Sequence, residues 1–135
     1  MDFVTFYIAK KLKEKGFKNL CFAYYTNTND LYFNYSHKAG AKYSDCFLSH
    51  NLMPKDSVSG KFVDAPTISQ VLKWLREETK INVNMRLYKE NGWYYTIQNY
   101  KGEPLYSQLT NTDELYLSYE EAALAGIQFA IDNLI

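Results

Sequence analysis

Apolar residues recur at Val4, Ile8 and Leu12 with Tyr7 alongside, the spacing of one helix face, and the stripe stops at Gly16 just after a lysine-rich turn. Residues 20–25 and 31–35 then alternate with a period of two around Thr26-Asn27-Thr28-Asn29, which predicts a hairpin. Pairing Tyr25 with Asp30 places Leu20, Phe22 and Tyr24 beside Tyr35, Phe33 and Leu31, so this register is the expected one. From 36 to 64 the pattern weakens, with glycine, serine, asparagine and aspartate interrupting short pieces such as Cys46-Phe47-Leu48. That stretch reads as loop with at most one short strand.

Periodicity returns at Thr67, which with Gln70 has the spacing of a capping box, and Ile68, Val71, Leu72 and Leu75 give a second helix its stripe, with Trp74 at the margin. Ile81, Val83, Met85 and Leu87 alternate with polar residues, as do Trp93, Tyr95 and Ile97 after Glu90-Asn91-Gly92. A three-residue loop with a left-handed Gly92 sets Met85 and Leu87 against Ile97 and Tyr95. Short strands are expected at 105–109 and 115–117 around Asn111-Thr112-Asp113. A last helix follows from Ser118, with Ser118 and Glu121 as a second capping box and a stripe of small residues that lets its backbone lie close to a sheet.

The order helix, hairpin recurs: Ile8-Ala9-Lys10-Lys11-Leu12-Lys13-Glu14 before one hairpin echoes Val71-Leu72-Lys73-Trp74-Leu75-Arg76-Glu77 before the other. The fold class is therefore α+β, two α-β-β(-β) pseudo-repeats with antiparallel sheet and a closing C-terminal helix. Two copies argue against a solenoid. A length of 135 residues predicts one domain over residues 1–135.

Charge narrows the functional classes. Fifteen basic and fifteen acidic side chains cancel, so no overall field directs the chain to nucleic acid or to a membrane. The halves differ, since residues 1–62 carry nine Lys against five acids and residues 63–135 six Lys/Arg against ten, which reads first as two solvated faces and alternatively as a dipolar surface that docks a partner or stacks copies head to tail. Two cysteines make no disulfide framework, and a start without a basic n-region points to the cytoplasm.

Chemistry-bearing residues are sparse. Asp45, Cys46 and His50 with His37 form the nearest approach to a nucleophilic or zinc site, but Cys46 belongs to an apolar run and has no second cysteine nearby, so it reads as a buried structural residue. Glu77-Glu78 and Glu120-Glu121 are adjacent on helices and point apart. The lysines from Lys10 to Lys18 read as a solvated helix face. No catalytic residue, metal site or cofactor is expected, and the chain is read as a non-enzymatic binding protein, acting through a protein partner or self-association.

The alternative reading rests on thirteen Tyr, eight Phe and two Trp: a planar small molecule such as a nucleotide is sequestered in an aromatic pocket. Trp74, Tyr88, Tyr94 and Tyr100 are its candidate lining, with Arg86 as the candidate cation and Arg76 or the lysine cluster as further phosphate ligands. Strand alternation puts Trp93 and Tyr95 in the core and leaves Tyr94 free for a ligand.

Pro66-Thr67, Gln70-Val71, Lys73-Trp74-Leu75-Arg76-Glu77, Ser118-Tyr119-Glu120-Glu121-Ala122 and Lys11-Leu12-Lys13-Glu14-Lys15-Gly16-Phe17 together resemble a group of small α+β proteins, without assigned activity, frequent in gut Bacteroidales genomes and their phages. The resemblance spans most of the chain and implies a context only, an accessory protein of a phage or mobile element. It carries over no functional residue.

Overall fold

The computed structural model describes residues 2–34, 47–55, 57–110 and 114–135, and the chain gathers into two compact units, Phe3–Thr67 and Ile68–Ile135. His37, Asp45, Cys46, the Ser36 to Asp45 part of the expected loop, and the Asn111-Thr112-Asp113 turn lie outside the described residues.

The first unit opens with α1 (Phe6–Glu14), whose first turn is capped by the Thr5 hydroxyl accepting from the Ile8 N–H. Ile8, Ala9 and Leu12 are its buried stripe, and Gly16 at φ +90° ends it. Strands β1 (Ala23–Tyr25), β2 (Leu31–Phe33) and β3 (Val63–Ala65) form an antiparallel sheet in the order β2-β1-β3. The hairpin is where it was expected, but its register is shifted by one residue: Tyr25 pairs with Leu31, Tyr24 with Tyr32 and Ala23 with Phe33.

The loop explains the shift. Asn29 adopts φ +67°, its N–H donates to Thr26 O, and Thr26 N–H donates to Asp30 O, so Thr26 pairs with Asp30 and the loop has three residues, Asn27 to Asn29, in place of four. The face turned to the core is consequently Cys21, Ala23 and Tyr25, all buried, and not Leu20, Phe22 and Tyr24.

Strand β3 is the element that periodicity missed. Val63, Asp64 and Ala65 are all buried, so there is no polar face to produce alternation. Ahead of it, Leu48 bridges to Cys21, and two 3₁₀ turns, His50–Leu52 and Ser59–Lys61, occupy what reads as loop.

The second unit begins with α2 (Ile68–Trp74), which continues into a π turn over Leu75–Thr79 and stops at Lys80, whose φ is +60°. Strands β4 (Ile81–Leu87), β5 (Trp93–Asn99) and β6 (Pro104–Ser107) form an antiparallel sheet in the order β4-β5-β6. The faces of the β4–β5 hairpin are those expected, but Met85 pairs with Tyr95 and Leu87 with Trp93, because the loop is Lys89 to Asn91. Lys89 takes a left-handed φ of +52° within that loop, and Gly92 takes the positive φ expected of it, at +143°. Gly92 serves closeness: a Cβ there would lie 2.9 Å from Tyr116 O, and Tyr116 bridges the neighbouring Trp93.

The C-terminal helix α3 (Tyr119–Asn133) starts as its capping box predicts, the Ser118 hydroxyl accepting from the Glu121 N–H at 3.1 Å while the Glu121 carboxylate accepts from the Leu117 N–H. Its buried stripe of Ala122, Ala123, Gly126, Ile127, Ala130 and Ile131 packs across β4 and β5, and α2 lies beside it. Both units thus share the order helix, hairpin, third strand, which is the α+β class expected. The parallel ends at the third strand, which joins the first hairpin strand in one unit and the second in the other.

Candidate functional site

The polar residues of the first unit converge on Asp64. Its carboxylate is fully buried and accepts from the backbone N–H groups of His50 and Asn51, each at 2.9 Å, and from the Ser49 hydroxyl at 3.3 Å. It therefore caps the N-terminus of the 3₁₀ turn His50–Leu52 from a different element. Asn51 returns the bond through Oδ1, which accepts from the Asp64 N–H, and its amide donates to Phe17 O. Burial pushes the Asp64 carboxyl up, and the bonds from Asn51, His50 and Ser49 oppose that rise.

His50 extends the network. Asn34 donates through Nδ2 to Cys21 O, so its Oδ1 is the acceptor 3.0 Å from His50 Nε2, and the imidazole must carry its proton on Nε2. Burial holds His50 below its ordinary range, partly offset by the Asp64 charge. Lys13 is not a solvated helix lysine: its Nζ donates to Gly60 O and Phe62 O, both at 2.9 Å, and burial lowers it. Cys21 is buried, free and pushed up by burial and by Asp64, which makes it a thiol and not a thiolate. The hydrogen bonds of this cluster run inward to backbone groups, so it pins loop segments onto the sheet.

The second unit contains an open cleft of about 500 Å³ at the end of the β4–β5 hairpin away from its turn. One wall is Arg76, carried by the π turn, and Lys80, which follows it. Lys80 Nζ donates to Glu77 O at 2.9 Å. The floor is Ile81, Asn82 and Gln98, the last two directly paired across β4 and β5. The opposite wall is the β5–β6 turn from Asn99 to Gly102.

That turn is rigidly built. Asn99 Oδ1 accepts from the N–H groups of Lys101 and Glu103, its Nδ2 donates to Glu103, and Gly102 takes φ +81°. Asn99 is thereby used up in shaping the wall, while Tyr100 projects with 71% of its surface exposed and carries Lys101 Nζ 5.7 Å from its ring centre. The lining thus brings together three cations, three amide side chains, of which that of Asn99 is spent on the turn, and an aromatic ring, and no carboxylate.

The residues singled out from sequence are divided by this geometry. Tyr100 and Arg76 line the cleft. Trp74 is 7% exposed and belongs to the core. Tyr88, Tyr94 and Arg86 lie together near the hairpin turn, with Tyr88 and Tyr94 edge to face at 6.4 Å and Arg86 Nε 3.5 Å from Thr96 Oγ1. Six residues of extended strand, about 20 Å, separate Tyr94 from Tyr100. Sequence reasoning missed Lys80, Lys101, Asn82 and Gln98. Alternation already placed Asn82 and Gln98 on the face opposite the core, and the Lys101-Gly102 turn lay at the end of the same strand, so the signal was a turn adjoining an amide-bearing strand face.

A second notch of about 320 Å³ lies between Tyr95, Tyr116 and Phe129 on α3. Its aromatic rings pack on one another, Tyr106 stacking on Phe129 at 3.8 Å, and burial raises the Tyr95 phenol. Among the described residues, no group of three or more His, Cys, Asp or Glu is placed to hold a metal ion, and no helix is long and apolar enough to cross a membrane. No protein-family model matches this chain, and no curated protein or solved structure matches it.

Proposed function

We propose that the protein is a non-enzymatic binding protein that takes a small anionic molecule into the cleft between the π turn and the β5–β6 turn. One observation carries the reading: Arg76, Lys80 and Lys101 converge on a cleft of about 500 Å³ whose lining has no acid to neutralise them. A volume of that order is typical of small-molecule sites. Arg76 contributes a planar fork suited to two oxygens of one phosphate or carboxylate, and Lys80 and Lys101 contribute point charges. Calorimetric titration with pyrophosphate and with citrate tests this. At least one should bind, and Arg76→Ala, an exposed change, should weaken binding at least tenfold. Absence of heat with both anions would remove the reading.

A second reading, self-association, is favoured by strand β2, which among the described residues pairs only with β1. All three of its residues are exposed, Leu31 at 37%, Tyr32 at 50% and Phe33 at 53%, and none is a lysine, a proline or part of a bulge, so its shortness alone blunts this edge. A second copy pairing antiparallel there would set each Leu31 against a Phe33.

A further inference from the structure

We infer that the anion taken by this cleft is a mononucleotide, with its phosphate on Arg76 and Lys80 and its base on Tyr100 over the Asn82–Gln98 pair. The inference rests on the proposed anion site and adds the part of the ligand that the cations do not explain. Charge alone would hold inorganic phosphate, yet the floor between the cationic walls is neither charged nor simply apolar. Asn82 and Gln98 are direct partners across β4 and β5, so their side chains leave the same face of the sheet a few ångströms apart. Each presents one acceptor and two donors, the set that reads the edge of a heterocycle.

The next pair along that face lies outside the cleft lining. Asn84 is paired with Thr96, and its Nδ2 is buried without a hydrogen-bond partner. Since Asn84 is not part of the lining, the amides that a ligand in the cleft meets on this face are those of Asn82 and Gln98. Tyr100 completes the set: a ring with 71% of its surface exposed, beside Lys101, offers a stacking face at the rim. Phosphate ligands and stacking ring stand on opposite walls, one on the π turn after α2 and one on the β5–β6 turn, as a ligand with a charged end and a planar end requires.

The test is a titration panel of the four ribonucleoside monophosphates, ribose 5-phosphate and a single-stranded tetranucleotide against the parent chain and Tyr100→Ala. At least one nucleotide should bind at least tenfold more tightly than ribose 5-phosphate. Tyr100→Ala should weaken that nucleotide about tenfold and leave ribose 5-phosphate unchanged. If ribose 5-phosphate binds as well as every nucleotide, or if the substitution weakens both equally, the base site is wrong and the anion site stands. A tetranucleotide binding a hundredfold more tightly than any monomer would overturn the mononucleotide in favour of a nucleic-acid strand. If the nucleotides and ribose 5-phosphate fail along with pyrophosphate and citrate, the anion site itself falls.

Discussion

Asp64 and His50 illustrate how a buried pair sets the pH response of the first unit. His50 is only 8% exposed, and burial holds it below its ordinary value of 6.5. The unfolded chain therefore takes up a proton near pH 6.5 that the folded chain refuses. His50 contributes stability that is complete above that value and lost as pH falls toward the lower folded value, by at most about 1.4 kcal/mol at pH 5.5. Asp64 acts in the opposite sense, because a raised carboxyl favours the folded state below its ordinary 3.8 and loses that favour as pH rises through its folded value. His50→Gln separates them, since glutamine can still donate to Asn34. Urea denaturation at pH 7.5 and 5.5 should show the parent losing stability on acidification relative to His50→Gln. Equal changes in the two proteins would mean that His50 titrates alike folded and unfolded. Neither role was visible in the sequence. Asp64 stands between Val63 and Ala65 in a short run without alternation, and His50 drew notice only for its nearness to Cys46.

Helices were legible in the sequence because their stripes and caps are local; strand pairings were not, because a turn decides them. Ser118 and Glu121 predicted the start of α3 correctly, and its small residues predicted close approach to a sheet. At Gly126 that approach can be measured. A Cβ there would lie 2.6 Å from Val83 Cγ1 and 3.1 Å from the Tyr95 ring, both on the buried face of the β4–β5 pair. Overpacking of this kind costs about 1–3 kcal/mol, while alanine gains back up to about 1 kcal/mol of helix propensity. Gly126→Ala should therefore destabilise the protein by about 1 kcal/mol. Val83→Ala removes the nearest atom, so the double variant should be more stable than the sum of the single changes requires, a coupling that denaturation curves of all four proteins would reveal. Additive losses would show that the helix shifts away without meeting Val83. By contrast, both hairpin registers were misplaced, since left-handed Asn29 and Lys89 each moved a loop without announcing it in the hydrophobic pattern. The cleft was half legible for the same reason: Tyr100 and Arg76 stand out by type, but only pairing brings Asn82 to Gln98 and sets both beside the turn.

Across the whole molecule the charges cancel and yet are unevenly placed. Counted over Phe3–Thr67 there are nine lysines and five acids, and over Ile68–Ile135 together with Asp2 six basic residues and ten acids. The cationic cleft thus belongs to the unit with the acidic excess, so the proposed anion would be held there by direct contact and would gain little from long-range attraction. The same asymmetry gives copies of the chain a reason to attract one another, with each excess seeking its opposite. At 10 mM salt the screening length is about 30 Å and such attraction spans a small protein; at 1 M it is about 3 Å and only touching groups feel it. Light scattering across a concentration series should give a mean mass that rises above 15.8 kDa at 10 mM sodium chloride and returns to it at 1 M. Pairing through the β2 edge predicts the reverse, because sulfate strengthens apolar burial: association should then persist at high salt and grow in ammonium sulfate. Substituting Phe33→Lys, at an exposed edge position, would abolish that second kind of association and leave the first in place. A mass of 15.8 kDa under every condition would rule out both forms of self-association and leave a different protein partner or the proposed ligand cleft as the remaining readings.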